Sequence, residues 1–346
     1  MALQDDLTLE IHPGKAPPGW DEALLAAGGV VFHSAAWAAH KTPAGEGDPL
    51  FFVWSEGAEG EVVARGLGIR RPAKRSVAGR FAAKLVFDST PATNSIGLDF
   101  ISPLASWARR NPALLEVRLG SFDAQGSWRS SQMPHSRSRC EYLLPVGDGS
   151  EKQLWADMRQ LAQRKVKRAV KCDMEAREAS SPIELSEFAV VYAATEERLS
   201  QTKAYVPAVG TGSERFAESL ALLTAHGRGR LFGAFSEGGL EAGVFFAVFG
   251  KRAYMIYSGS TDRGREAGAP FLAMFGALCE LRAAGFEQIN LGGAGGDAPD
   301  PGSIDHGLHQ FKTRFGAEAE PRTSGSLIVR PFRAGAISAA RRLARR

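Results

Sequence analysis

Cysteine is scarce in this chain. The three among 346 residues, Cys140, Cys172 and Cys279, are odd in number, far apart and in no metal-ligand spacing. That excludes a disulfide framework and a thiolate metal site, and fits reduced thiols in a cytosol. Long apolar runs are missing too. The longest, AGAPFLAMFGALC (267–279), is shorter than the roughly 20 residues a spanning helix needs. The N-terminus, MALQDDLTLEI, is acidic where a signal peptide is basic. No G-x-S-x-G, Walker loop or catalytic-cysteine context occurs. The basic residues have no aromatics interleaved for base stacking, which argues against a nucleic-acid-binding protein. The expectation is a soluble, cytoplasmic protein.

What is present is charge in blocks. The net charge is +4, yet residues 151–171 carry +5 and residues 330–346 carry +6, leaving −7 elsewhere. A polyanionic partner is therefore expected at one of those two segments.

The hydrophobic pattern gives the same order of elements twice. In the second half, helices are predicted at 186–200 (N-cap Ser186) and 213–225 (N-cap Ser213). A three-strand meander follows at 229–235, 242–249 and 252–259, then an apolar helix at 268–284 closed by Gly285. A strand at 287–293, a short helix near 305–314 and a strand at 326–330 complete it. The first half repeats this with a strand at 7–12, helical pieces at 20–26 and 34–40 (N-cap Ser34), and strands at 50–55 and 61–69. A helix near 97–109 and strands at 114–120 and 140–146 follow. Residues 71–94 carry no clear pattern, and 123–138 read as a polar loop. The fold class expected is α/β, a duplicated unit in a mixed α+β arrangement. Its divisions are 1–148, a basic connecting helix at 149–172 capped by Ser150 and Gln153, 173–330, and an Arg-rich tail at 331–346.

LGGAGGD (291–297) has the glycines of a phosphate loop. A dinucleotide loop opens directly into a helix, whereas Pro299, Asp300, Pro301 and Gly302 follow here. The run reads better as a strand end leading into a mobile segment that delivers HQFKTRFG (309–316).

The basic helix RQLAQRKVKRAVK (159–171), YMIYSGS (254–260), INLGG (289–293) and above all HQFKTRFG together resemble the Fem-type branch of the GNAT acyltransferases, related to the enzymes that build peptidoglycan cross-bridges. The likeness covers about 150–330 and is weaker before that, where FHSAAW (32–37) is the best match. The resemblance implies two tandem GNAT domains, each a mixed, mostly antiparallel sheet flanked by helices. It also implies a fourth strand splayed from the fifth to receive an activated acyl donor, either acyl-coenzyme A or aminoacyl-tRNA, as co-substrate and not as a tightly bound cofactor. The interval 171–205 is too short for the tRNA-binding coiled-coil arm of some members, which favours the thioester. The acceptor implied is an amine on a cell-envelope or exopolysaccharide precursor, sugar- or peptide-linked, with a lipid-linked precursor among the alternatives. Peripheral membrane contact through 330–346, or a cyclic dinucleotide on its arginines, would suit such a role. A non-catalytic pair of domains binding an anionic polymer is the alternative from another class.

Arg265 and Gly268 match the first two anchors of the donor-binding helix start, with Pro270 where a small residue is usual. Lys312, between Phe311 and Phe315, is expected to point its ammonium into the cleft. There it would hold phosphate or stabilise an oxyanion, with Arg164 and Arg168 across from it. Tyr254 and Tyr257, three apart, are expected on opposite faces of their strand, with Tyr257 a candidate acid. Asp262 is a candidate catalytic carboxylate, and Gly292, Gly293, Asp297, His309, Phe311 and Phe315 are expected to line the acceptor cleft. His306 and His309 have no third partner in the sequence for a metal site.

Overall fold

The computed structural model describes residues 7–43, 46–56, 60–72, 83–93, 98–122, 135–145, 150–179, 181–202 and 212–333. They fall into two units, divided between Ser138 and Arg139 and again between Pro321 and Arg322. The expected boundary at 148 therefore lies earlier. The chain after 321 belongs with the first unit, because its strand pairs there.

Unit 1 runs β1 (Leu7–Pro13), α1 (Trp20–Ala26), a short 3-10 turn, α2 (Ala35–Lys41), β2 (Asp48–Glu56), β3 (Val62–Pro72), β4 (Ala83–Ser89), β5 (Ala92–Thr93), α3 (Ile101–Arg110) and β6 (Leu114–Phe122). Ser34 caps α2 as expected, its hydroxyl accepting from the Trp37 N–H. The patternless stretch 71–94 holds the end of β3, all of β4 and β5, and residues outside those described. β4 alternates strictly between buried and half-buried positions, the period of a strand. The sheet order is β1-β2-β3-β4-β6, with β5 against β3. The C-terminal part of β13 (Glu318–Ile328) adds Gly325–Ile328 antiparallel to Glu116–Leu119. Leu50, Phe52, Trp54, Leu85, Phe87, Leu104 and Val117 form the core.

Unit 2 takes the residues of β7 (His135–Leu144) from Arg139 onward. It continues with α4 (Glu151–Asp157), α5 (Gln160–Lys171), β8 (Glu175–Ala179), α6 (Pro182–Thr202), α7 (Ser213–Ala225), β9 (Gly229–Ser236), β10 (Gly239–Phe249) and β11 (Arg252–Ser260). α8 (Asp262–Ala267), α9 (Ala269–Ala283), β12 (Gln288–Gly295) and α10 (His306–Thr313) complete it. Its sheet order, β8-β9-β10-β11-β12-β7, matches that of unit 1 strand for strand. The three sequence-read meander strands are β9 to β11.

Several local expectations are corrected. The connecting helix is two helices: Met158 is extended, and Arg159 donates its N–H to the Arg314 carbonyl at 2.9 Å. Met158 is buried in the core, so the break lets both amphipathic segments seat their apolar sides. Ser150 does cap α4 through the Gln153 N–H. β8 was missed. α6 starts four residues before Ser186, capped by a reciprocal pair in which Ser181 Oγ accepts from the Glu184 N–H and Glu184 Oε2 from the Ser181 N–H. The cap of α7 is Gly212, not Ser213. Residues 123–134 and 334–346 lie outside the described residues, and with them most of the expected polar loop and of the Arg-rich tail; the last four residues of that loop, 135–138, open β7 instead. No helix among the described residues is long and apolar enough to cross a membrane.

Candidate functional site

The site grows from one irregularity in the unit 2 sheet. β11 and β12 run parallel, but their ladder holds only Arg252–Tyr254 against Gln288–Asn290. β11 then continues to Ser260 and β12 to Gly295 without pairing to each other. A fork between the two strands results.

Gly292 makes the fork. Its φ of 78° is left-handed, and a Cβ there would lie 2.9 Å from the Met255 carbonyl, so glycine alone fits both the turn and the approach. On its other side β12 pairs antiparallel with β7 and shifts register between Asn290 and Gly293, leaving Leu291 and Gly292 opposite Tyr142 alone. That is a β-bulge, a common device for re-aiming a strand.

Lys312 lies where the strands part. A Cβ on Gly292 would be 3.6 Å from its Nζ, which donates to the Gly293 carbonyl at 3.1 Å and sits 4.8 Å above the Tyr142 ring. The residue is 2% exposed, so the ammonium expected to point into a cleft is buried where the strands part. Burial lowers its pKa to about 7. Arg139 works in the same direction, and Cys140, Asp305 and Glu141 oppose it. Both protonation forms are thus populated near neutral pH, the property of a proton-transfer group.

Phe311 and Phe315 brace α10 as expected. Their rings lie 5.3 Å apart and pack on Phe271 of α9 at 5.1 and 5.8 Å. His309 Nδ1 lies 3.0 Å from the Tyr142 hydroxyl. Burial, His306 and Arg159 lower its pKa, which favours the uncharged ring. Burial and Cys140 hold the Tyr142 phenol well above its usual range, so it acts as a donor or acceptor without ionising. Cys140 Sγ donates to the Gly295 carbonyl at 3.2 Å.

Other expected residues sit elsewhere. Tyr254 and Tyr257 share one face. The β10–β11 register shift sets Met255 against Phe246 but Tyr257 against Phe245, and the extra residue cancels the alternation. The Tyr257 ring packs 5.3 Å from Tyr192 and 4.9 Å from Phe216, in the wall under α6 and α7. Asp262 is exposed in the first turn of α8 between Arg265 and Arg198, at 3.0 and 3.1 Å, and the bond from Arg265 lowers its pKa. Asp297 is exposed in a turn, its carbonyl accepting from the Asp300 N–H. The expected mobile segment after LGGAG is a series of hydrogen-bonded turns, tied back where Asp305 Oδ2 accepts from the Gly295 N–H at 2.9 Å.

At the helix start the N–H of Gly268 is spent on the Gly264 carbonyl. A Cβ on Gly268 would lie 2.5 Å from the Lys165 carbonyl, so its visible role is to let α5 approach the α8–α9 junction. Pro270 falls in the first turn of α9, where its missing N–H costs nothing. Arg164 and Arg168 are exposed on α5, which packs on α8 and α9. No ion pair engages either among the described residues. Asn290, Glu141, Tyr142 and Asp305 were not anticipated.

Unit 1 has no such fork. Its parallel pair β4–β6 shifts register near both ends but still pairs from Ala83–Leu114 to Ser89–Phe122. Gly120 lies so close to the Asp88 carbonyl that no Cβ would fit.

Residues 154–306 match the family model described as an acetyltransferase (GNAT) domain. That stretch of unit 2 is similar to a GNAT acetyltransferase domain. Among solved structures, FemX aligns with a TM-score of 0.64 at 12% identity, covering 91% of this chain and 96% of that one. L-PGS from Bacillus licheniformis aligns at 0.54 and 13%, covering 97% and 99%. A tandem GNAT protein from the clavulanic acid biosynthesis pathway aligns at 0.52 and 12%, covering 93% and 98%. At such identities the likeness is one of fold, and the fold is a tandem of GNAT-like units. No curated protein matches significantly in sequence. The GNAT match falls within the unit whose fourth and fifth strands part, and Lys312 stands at that fork.

Proposed function

We propose that the GNAT domain moves an acyl group from an activated carrier to a primary amine, with the donor lying along the open edges of β11 and β12. The parting of these strands at Gly292 beside Lys312 carries this reading. Extended edges bind an amide-rich carrier arm by adding hydrogen bonds as another strand would.

In the transfer, the acceptor nitrogen bonds to the acyl carbon as the carrier's C–S or C–O bond breaks. The proton lost from nitrogen ends on the departing thiolate or alkoxide. Protonated Lys312 stabilises the developing oxyanion or supplies the leaving-group proton, and recovers a proton from the amine afterwards. The donor's phosphates are assigned to Arg164 and Arg168, and the donor to acyl-coenzyme A. An amine of a cell-envelope or exopolysaccharide precursor is the acceptor class that the Fem-type resemblance favours.

Aminoacyl-tRNA is the second donor, favoured by the exposed cationic side of α5. Against it, the interval after α5 holds β8 and α6 and no helical hairpin among the described residues. The test incubates the protein with acetyl-coenzyme A or a charged tRNA and a panel of amines including glucosamine, with products read by mass spectrometry. Consumption of charged tRNA alone reverses the donor assignment, and transfer from neither donor to any amine overturns the reading.

A further inference from the structure

Glu141 and Asn290 are buried, at 1% and 0% exposure, and take no part in the transfer described above. A buried carboxylate is costly unless hydrogen bonds or a nearby cation offset it. Asn290 Nδ2 donates to Glu141 Oε2 at 2.9 Å. Asn290 Oδ1 accepts from the Gly292 N–H at 2.7 Å. The carboxylate can only accept, which fixes the amide with its NH2 toward Glu141 and its oxygen toward the backbone. The residue so held is Gly292, the left-handed turn that parts the strands, and the next carbonyl, Gly293, seats Lys312 Nζ. Three hydrogen bonds thus run from a buried anion to the site's buried amine.

We infer that Glu141 and Asn290 are positioning residues for Lys312: Asn290 presets the Gly292–Gly293 turn that seats Nζ, and Glu141 both orients Asn290 and presents a negative charge to the amine. The other groups facing Lys312 are Arg139, Cys140 and Tyr142 from β7, Asp305 before α10, and His309 one turn away. Glu141 is the one among them that also holds the turn. The catalytic consequence rests on the proposed transfer; the seating of the amine does not.

The test is carbon NMR of protein labelled at lysine Cε, with the Lys312 signal assigned by its loss in Lys312→Met. Glu141→Gln keeps the side-chain shape and removes the charge. Its Lys312 titration midpoint should fall by about one pH unit below the wild-type value. An unchanged midpoint overturns the inference even if transfer activity is found, and a shifted one upholds it even if no donor is ever turned over. Should that variant not fold, Asn290→Ser carries the same test: the released amine titrates at least one unit nearer the ordinary lysine value, and an unmoved midpoint overturns the proposal. Where transfer is measurable, the acid or alkaline limb of the pH profile should move with the NMR midpoint in Glu141→Gln. Activity scaled equally at every pH would leave Glu141 a structural residue only.

Discussion

Replacing Lys312 by methionine should remove transfer and, at acid pH, make unit 2 more stable. The amine is buried and its pKa falls from 10.5 to about 7, mainly through lost hydration. At about 1.4 kcal/mol per pH unit, that costs the fold on the order of 4–5 kcal/mol while the lysine is charged in both the folded and unfolded states. Below about pH 7 the full cost applies. Between about 7 and 10.5 the folded chain holds the neutral amine and the unfolded chain the ammonium. The unfolded state then binds more protons, and wild-type stability rises with pH. Methionine has a similar volume and no charge to desolvate. It forfeits the bond to the Gly293 carbonyl, worth about 1–3 kcal/mol. The variant should therefore be about 2–3 kcal/mol more stable at about pH 6, and that advantage should shrink by about 2–3 kcal/mol by about pH 9. Trp155 is the only tryptophan between residues 139 and 321. Fluorine NMR of fluorotryptophan-labelled protein in urea can therefore follow unit 2 alone. A stability difference that is the same at both pH values refutes the buried, easily deprotonated lysine and the proton-transfer role built on it.

Further outcomes follow from the geometry. Gly268→Ala should destabilise unit 2 by roughly 1–3 kcal/mol, because its φ of 98° and the Lys165 carbonyl both oppose a Cβ; urea midpoints of Trp155 check this. Arg164→Glu with Arg168→Glu should raise the donor KM by tenfold or more, leave urea stability within about 0.5 kcal/mol and reduce the salt dependence of KM. An unchanged KM removes these arginines from donor binding. Gly120→Ala should lower the melting temperature of unit 1 by forcing β4 from β6, while the donor KM stays as in wild type.

The architecture was legible because it rests on local signals. The Phe- and Val-rich meander, the Ser34 and Ser150 caps and the repeated element order all survive in the structure. What escaped depends on partners distant in sequence. The faces of Tyr254 and Tyr257 follow from a bulge that nothing in YMIYSGS announces. The break at Met158 depends on the Arg314 carbonyl, more than 150 residues away. Lys312 stood out in the sequence, but FKTRF cannot reveal that the amine is buried against Tyr142 and Gly293. Glu141 and Asn290 look like wet-face residues of CEYLLPV and EQINLGG, because alternation assumes a strand has a wet face; here both side chains are buried.

The two units share a strand order and differ in how their fourth and fifth strands meet, which bears on the proposed donor binding. Each sheet ends on a strand paired antiparallel to the fifth: β13 beside β6 in unit 1, β7 beside β12 in unit 2. Each fifth strand carries a glycine at the critical place, used in opposite senses. Gly120 lets β6 pass close to the Asp88 carbonyl, and beyond a register shift there the parallel pairing resumes at Ser89–Phe122. Gly292 turns β12 out of its ladder after three residue pairs. A donor that binds by adding hydrogen bonds to free strand edges finds them between the fourth and fifth strands of unit 2 and not between those of unit 1. Titration of the whole chain with acyl-coenzyme A, followed by calorimetry or native mass spectrometry, should therefore saturate at one donor per chain. Gly292→Ala, which opposes both the turn and the 2.9 Å approach to the Met255 carbonyl, should abolish that binding. Two donors per chain, or one that survives Gly292→Ala, would mean that the fork is not where the carrier lies.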